Sequence, residues 1–287
     1  MPLELFFAII IVIVLLIGSY TDIRTREVPD WLNYGFIISA LGFRAIWSAA
    51  DNDITYIAEG VFGFLVFLAL AYAMFYAGQW GGGDAKMMMG LGAMMGLQLD
   101  FRSSLISFFF NIFLVGAVYA LAWSIALAVK NRKRFSEEFK KLFYTKKMLL
   151  MRKIIIISAA VLLVIAFLLE DFQLKFMLFA LVLLYAATFY LWIFVRAIER
   201  SCMLKMVAPE KLTEGDWIAK DVCVSGKRIC GPKDLGISME QIKELKRLKK
   251  QKKISKILIK EGIPFVPSFL LAFIATLVWG NLFLMVL

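Results

Sequence analysis

The chain has 287 residues, of which 61% are hydrophobic, with a mean hydropathy of +0.78 and a formal net charge of +11. That much apolar side chain exceeds what a soluble globular domain buries, so the class left is an integral membrane protein. The sequence contains no histidine, which excludes Ser-His-Asp and Cys-His nucleophilic catalysis and an ordinary zinc site.

A helix that crosses a bilayer needs about 20 apolar residues. Runs near that length fall at 3–20, 32–50, 55–79, 85–99, 104–129, 154–169, 176–196 and 264–287. They predict an all-α polytopic membrane protein, a bundle of about eight (six to eight) transmembrane helices with a small cytoplasmic α+β module. The first run has no basic leader and no A-x-A cleavage site, so it reads as a retained span rather than a signal peptide. The fourth is short and rich in Met and Gly. The chain divides into helices over 1–129, a basic loop at 130–153, an additional hairpin at 154–199, a module at 200–262 and a last helix at 263–287.

Charge sets the expected orientation. Ten of the 33 Lys and Arg fall in 130–153 and seventeen in 196–262, whereas the opposing loops at 51–53, 100–102 and 170–175 hold two. Basic loops stay cytoplasmic. Eight alternating spans then put Met1 and Leu287 outside and the loops at 21–31, 80–84, 130–153 and 197–263 inside. The basic excess follows from this asymmetry, and no nucleic-acid partner is expected. Cys202, Cys223 and Cys230 lie on the inner side without a C-x-x-C pair, so no metal is expected either.

Two segments interrupt the spans. Residues 130–153 carry Phe135, Phe139, Leu142 and Phe143 at amphipathic spacing, which suits either a helix on the anionic lipid surface or a solvated connector. In the module, "DWIAKDVCVSGKRIC" reads as a hairpin around a Ser-Gly turn. "GISMEQIKELKRLKK" then starts a helix, with Ser238 and Gln241 spaced as a capping box and Ile242, Leu245 and Leu248 on one stripe. Docking, lipid binding and scaffolding are all open to it.

Acids at the edges of spans are functional candidates, because each is costly there unless paired or hydrated. Asp22, Glu27, Asp30, Glu59 and Asp84 qualify, with Asp100 and Asp171 at outer ends. Glu59 is placed to pair with Arg44. Asp22 ends the first span and Asp84 begins the fourth, at matching depth. Two facing carboxyls hydrolyse a peptide without histidine by sharing one proton: one activates water, the other protonates the carbonyl oxygen. In "WGGGDAKM", Gly81, Gly82 and Gly83 leave room for a substrate backbone and permit unusual dihedrals. The alternative is a tight turn with Asp84 as a helix cap. Gly92 and Gly96 permit close helix packing, while the methionines of this span suit either bundle filling or an adaptable substrate surface.

"GGGD" at 81–84, extended by Lys86 to G-G-G-D-x-K, resembles the G-x-G-D motif of intramembrane aspartyl peptidases. "DIRTREVPD" from Asp22 resembles the D-x5-[IV]-P-[ND] pattern of prepilin peptidases. "EGIPFVPSFLLAF" and the helix before it are similar to the C-terminal part of the archaeal members. The chain thus resembles the archaeal type IV prepilin and preflagellin (prearchaellin) peptidases. The resemblance implies Asp22 and Asp84 as the catalytic pair. It also implies cleavage of a short, often basic leader from pilin-like or archaellin precursors, at the cytoplasmic face of the cell membrane and within its lipid. Glu27 and Asp30 are then candidates to attract such a leader, or ordinary loop charges with Asp30 capping the second span. The two-C-x-x-C zinc module of many bacterial members is missing, as is a glycine-rich cofactor loop, so cleavage without methylation and without a cofactor is expected. The first acid follows "YT" and no "PAL" occurs, unlike presenilin-type enzymes. Eight spans exceed the six associated with the preflagellin type. A transporter or ion pathway is the competing class, but it calls for mid-span acids and internal repeats.

Overall fold

The computed structural model describes residues 3–224 and 226–286. Met1, Leu287 and Ser225 of the Ser-Gly turn lie outside the described residues, and with them the expected placing of both termini. The chain opens with α1 (Leu3–Thr25), α2 (Asp30–Asp51), α3 (Thr55–Tyr76), α4 (Gly82–Met95) and α5 (Ser104–Lys130). Next come α6 (Arg132–Phe143), α7 (Lys146–Leu168) and α8 (Phe172–Ile198), the last continued by a π-helical turn over Glu199–Met203.

Among the described residues, five helices are long and apolar enough to cross a membrane: α1, α3, α5, α7 and α8, the last with its π turn. The protein is a helical membrane protein, but the expected count of eight is not reached. α4 has 14 residues, about 21 Å of helix against the roughly 30 Å of a hydrocarbon core. α10 (Val266–Trp279) is equally short and stops at Gly280, before α11 (Leu282–Val286). α2 is long enough but carries Asn33 and Arg44 buried in its length. Hydropathy in a window cannot separate a lipid-facing span from a short helix buried by its neighbours.

α4 is such a buried helix. Met87, Met88, Leu91, Ala93 and Met94 are sealed from solvent, so its methionines fill the bundle. α3 and α4 touch backbone to backbone at Gly63 and Gly92, where a Cβ on either residue would run into the other's carbonyl. Arg44 closes the far end of this pair. It donates to the carbonyls of Met94 (3.0 Å) and Met95 (2.7 Å) at the end of α4, and to Tyr56 O (2.7 Å) at the start of α3. The cation thereby takes up carbonyls that a helix C-terminus leaves unpaired. The expected pairing with Glu59 is present at 3.5 Å.

Residues 130–153 are not a loop: α6 occupies half of the stretch, and α7 begins at Lys146. Phe135, Phe139 and Phe143 pack with Leu142, Met148, Phe189 and Ile193 of α6, α7 and α8. The amphipathic face is therefore covered by protein rather than laid on lipid. α7 and α8 pack on each other and turn most of their apolar residues outward, as helices facing lipid do.

The module holds β1 (Leu204–Val207), β2 (Trp217–Ile218), β3 (Val222–Val224), β4 (Lys227–Cys230), α9 (Met239–Lys250) and β5 (Ile257–Lys260). β5 runs antiparallel between β1 and β2, and β3 pairs with β4. The expected hairpin is thus shorter than its sequence pattern, because Trp217 and Ile218 belong to the other sheet. The capping box is present: Gln241 N donates to Ser238 Oγ (3.3 Å) and Ser238 N to Gln241 Oε1 (2.9 Å). Ile242 and Leu245 close the core over Ile218, Ile257 and Ile259.

Candidate active site

Both predicted acids sit at helix N-termini, and at the same end of the bundle. Asp22 lies in the last turn of α1 and is only 6% exposed. Its Oδ2 accepts a hydrogen bond from the N–H of Val266 (3.0 Å), the first residue of α10. Asp84 lies in the first turn of α4, and its Oδ2 accepts from the N–H of Gly81 at 3.0 Å. Each carboxyl thus faces free amides at the positive end of a helix dipole. The Asp84 carboxyl lies within Coulombic reach of Asp22, so the two elements bring the acids together.

The capping alternative for Asp84 is therefore realised in its geometry, yet only one carboxyl oxygen is used by the cap. The dihedral argument for the glycines needs correction. Gly81 is extended (φ −72°, ψ 166°), and Gly82 and Gly83 already belong to the first turn of α4. The left-handed residue of this turn is Gly78 (φ +67°), on which the edge of the Trp217 ring rests. Gly83 matters for close approach instead, since a Cβ there would press on Val28, in the loop after Asp22.

Lys86 reaches back to Asp30 (2.6 Å) and lies over the Tyr34 ring at 5.0 Å. This ties the G-G-G-D-x-K motif to the start of α2, so Asp30 is occupied as a brace. Glu27 is exposed in the loop between α1 and α2, within Coulombic reach of Asp216 in the module. Asp216 is also within reach of Glu261. Glu27, Asp216 and Glu261 thus form an acidic group beside the loop after Asp22, offset in part by Lys205 and Arg26, which both approach Glu261.

The sequence reading missed the contribution of the module and of α10. Trp80, 3% exposed, packs against Phe265 (6.1 Å) and Phe269 (5.7 Å between centroids), joining the Gly-Gly-Gly turn to the start of α10. The signal was present in "EGIPFVP": Pro267 marks a helix start, and a helix start offers amides to an acid.

Comparison with known proteins bears on this segment. Residues 9–121, which include both aspartates, match the type IV leader peptidase family. The resemblance read from the motifs holds there. The preflagellin peptidase of Methanocaldococcus jannaschii is 37% identical over 81 residues, covering 28% of this chain and 34% of that protein. Those of Methanococcus maripaludis and Methanococcus voltae are 35% and 32% identical over stretches of the same length. The chain spans about a third of the length of the curated relatives it matches. No solved structure matches it. The matched segment ends within α5, so α6 to α8 and the module lie beyond it.

Proposed function

We propose that this chain is a membrane-embedded aspartyl endopeptidase. It removes the leader from type IV pilin-like or archaellin precursors at the cytoplasmic membrane face, with its N-terminus outside, and leaves the new N-terminus unmethylated. The observation that carries this reading is the meeting of Asp22 and Asp84 at one end of the bundle, each held by a backbone amide. The similar preflagellin peptidases suggest the substrate class, and the acidic group of Glu27, Asp216 and Glu261 suits a basic leader.

In the reaction, the ionised carboxyl takes a proton from water as the water oxygen bonds to the scissile carbonyl carbon. The protonated carboxyl gives its proton to the carbonyl oxygen, forming a neutral tetrahedral diol. The first carboxyl then passes its proton to the nitrogen as the C–N bond breaks, and the second recovers its own from a hydroxyl. No covalent enzyme intermediate is needed, and the pair is described as one unit because the two roles exchange. Helix N-termini on both acids hold the pair in place.

The test is co-expression with pilin-like and archaellin precursors, reading leader removal by gel shift. Wild-type protein should shorten the precursor, while Asp22→Asn and Asp84→Asn each leave it whole at normal protein levels. Cleavage near wild type in either variant would sink the pair.

A further inference from the structure

Three buried donors meet beside Asp22 with nothing to donate to. Arg26 Nη1, Tyr119 Oη and Trp123 Nε1 are buried and have no hydrogen-bond partner among the described residues. They belong to one cluster: the Arg26 guanidinium lies over the Trp123 ring at 5.5 Å, and the Tyr119 and Trp123 rings are 5.9 Å apart. Arg26 is placed there by the end of α1, where its N–H bonds Asp22 O (2.9 Å) and its φ is +63°. Tyr119 and Trp123 follow Gly116 on α5 by one and two turns, and Gly116 touches Phe265, the neighbour of the residue that holds Asp22. Tyr119 is within Coulombic reach of both Asp22 and Arg26.

An indole N–H and a guanidinium can only donate, so neither can satisfy the other. The phenol can accept from one of them, which still leaves the group short of an acceptor. Buried donors in native proteins are almost always paired, and an exception needs an explanation, of which an incoming ligand is one and an ordered water another. With Asp22 and Glu261 close by, an anionic ligand is repelled, whereas a neutral carbonyl oxygen is not. A substrate helix has no carbonyls to spare, but a stretch unwound around the bond to be cut exposes them.

We propose that Arg26, Tyr119 and Trp123 form a subsite for main-chain carbonyl oxygens of the unwound substrate segment, and so set the scissile bond against Asp22. This rests on the peptidase reading and adds residues outside its motifs.

Tyr119→Phe in the full-length protein tests it, because it removes one donor and keeps the ring. The first measurement is the melting temperature of the purified protein without substrate. It should be unchanged or raised, since an unpaired buried hydroxyl is lost. A lowered melting temperature means that the hydroxyl already has a partner, an ordered water included, and overturns the subsite whatever the activity. The second measurement is cleavage kinetics on a pilin-like precursor with a basic leader. Tyr119→Phe should lose about three- to tenfold in kcat/KM, carried by KM, and Trp123→Phe should do the same. Wild-type KM in both variants overturns the subsite while leaving the peptidase reading intact. Wild-type protein that cleaves no precursor overturns the peptidase reading and, with it, the subsite's substrate.

Discussion

Asp22 and Val266 are separated by 244 positions in the chain and joined by a 3.0 Å hydrogen bond, in which the first amide of α10 donates to the carboxyl at the end of α1. The contact makes the C-terminal part of the chain a structural component of the candidate site. It also divides the work of Asp22: one oxygen fixes the residue, and the carboxyl as a whole faces Asp84.

Asparagine keeps an amide oxygen that can accept from Val266 or Gly81, but it cannot exchange a proton. Asp22→Asn and Asp84→Asn should therefore lower cleavage by at least about a hundredfold. Their thermal midpoints should stay at or above wild type, since each removes one of two neighbouring acids. Activity in membranes and unfolding in detergent, measured on the same preparations, check both halves.

Arg44 should be among the most sensitive positions away from the site. Arg44→Leu leaves the carbonyls of Met94, Met95 and Tyr56 without their donor and the Glu59 carboxylate without its partner. A loss of about 2–4 kcal/mol is expected from unpaired buried groups of this kind. Denaturant unfolding of the purified protein reads it directly.

Glycine positions should split by contact rather than by helix. Gly92→Ala drives a methyl into the Gly63 carbonyl and should cost about 1–3 kcal/mol. Gly42→Ala, in the interior of α2 with open space around it, should gain about 0.5 kcal/mol from helix propensity. Opposite signs in one unfolding series support the backbone contact; equal effects argue against it.

Asp216 gives the module a pH dependence. Burial holds its carboxyl above the usual range, against the Thr213 hydrogen bond, and the charges of Glu27 and Glu261 add to the rise. Its protonated form is thus favoured in the folded state. That contribution is fully present below the unfolded Asp value of about 4 and is lost as pH rises through the folded value. Asp216→Asn keeps an acceptor for Thr213 and removes the loss. The variant should exceed wild type in thermal stability at neutral pH, and the gap should close as the pH is brought down to about 4.

The two acids were legible because a rare residue in a costly place stands out, and because Asp22 and Asp84 come in recognisable motifs. The Arg44–Glu59 pair and the Ser238 cap were legible for the same local reason. The span count was not, since α4 and α10 are short helices whose burial comes from neighbours remote in sequence. Pro267 marked a helix start, but not that its first amide would meet Asp22. Trp217 on Gly78 and the bare donors of Arg26, Tyr119 and Trp123 were equally hidden. Each depends on a meeting of distant segments, and none leaves a periodic or compositional trace.

The fastening of α4 by Arg44 has a mechanical side. Lys86 and Asp30 hold the other end, where Asp84 rides, so α4 is a short rod fastened at both ends. Asp84 lies about 16 Å of helix from the Arg44 end, so a tilt of about 5° would carry it only about 1.4 Å. Arg44, at the end of α4 opposite Asp84, thus helps to fix where that carboxyl stands along the bundle.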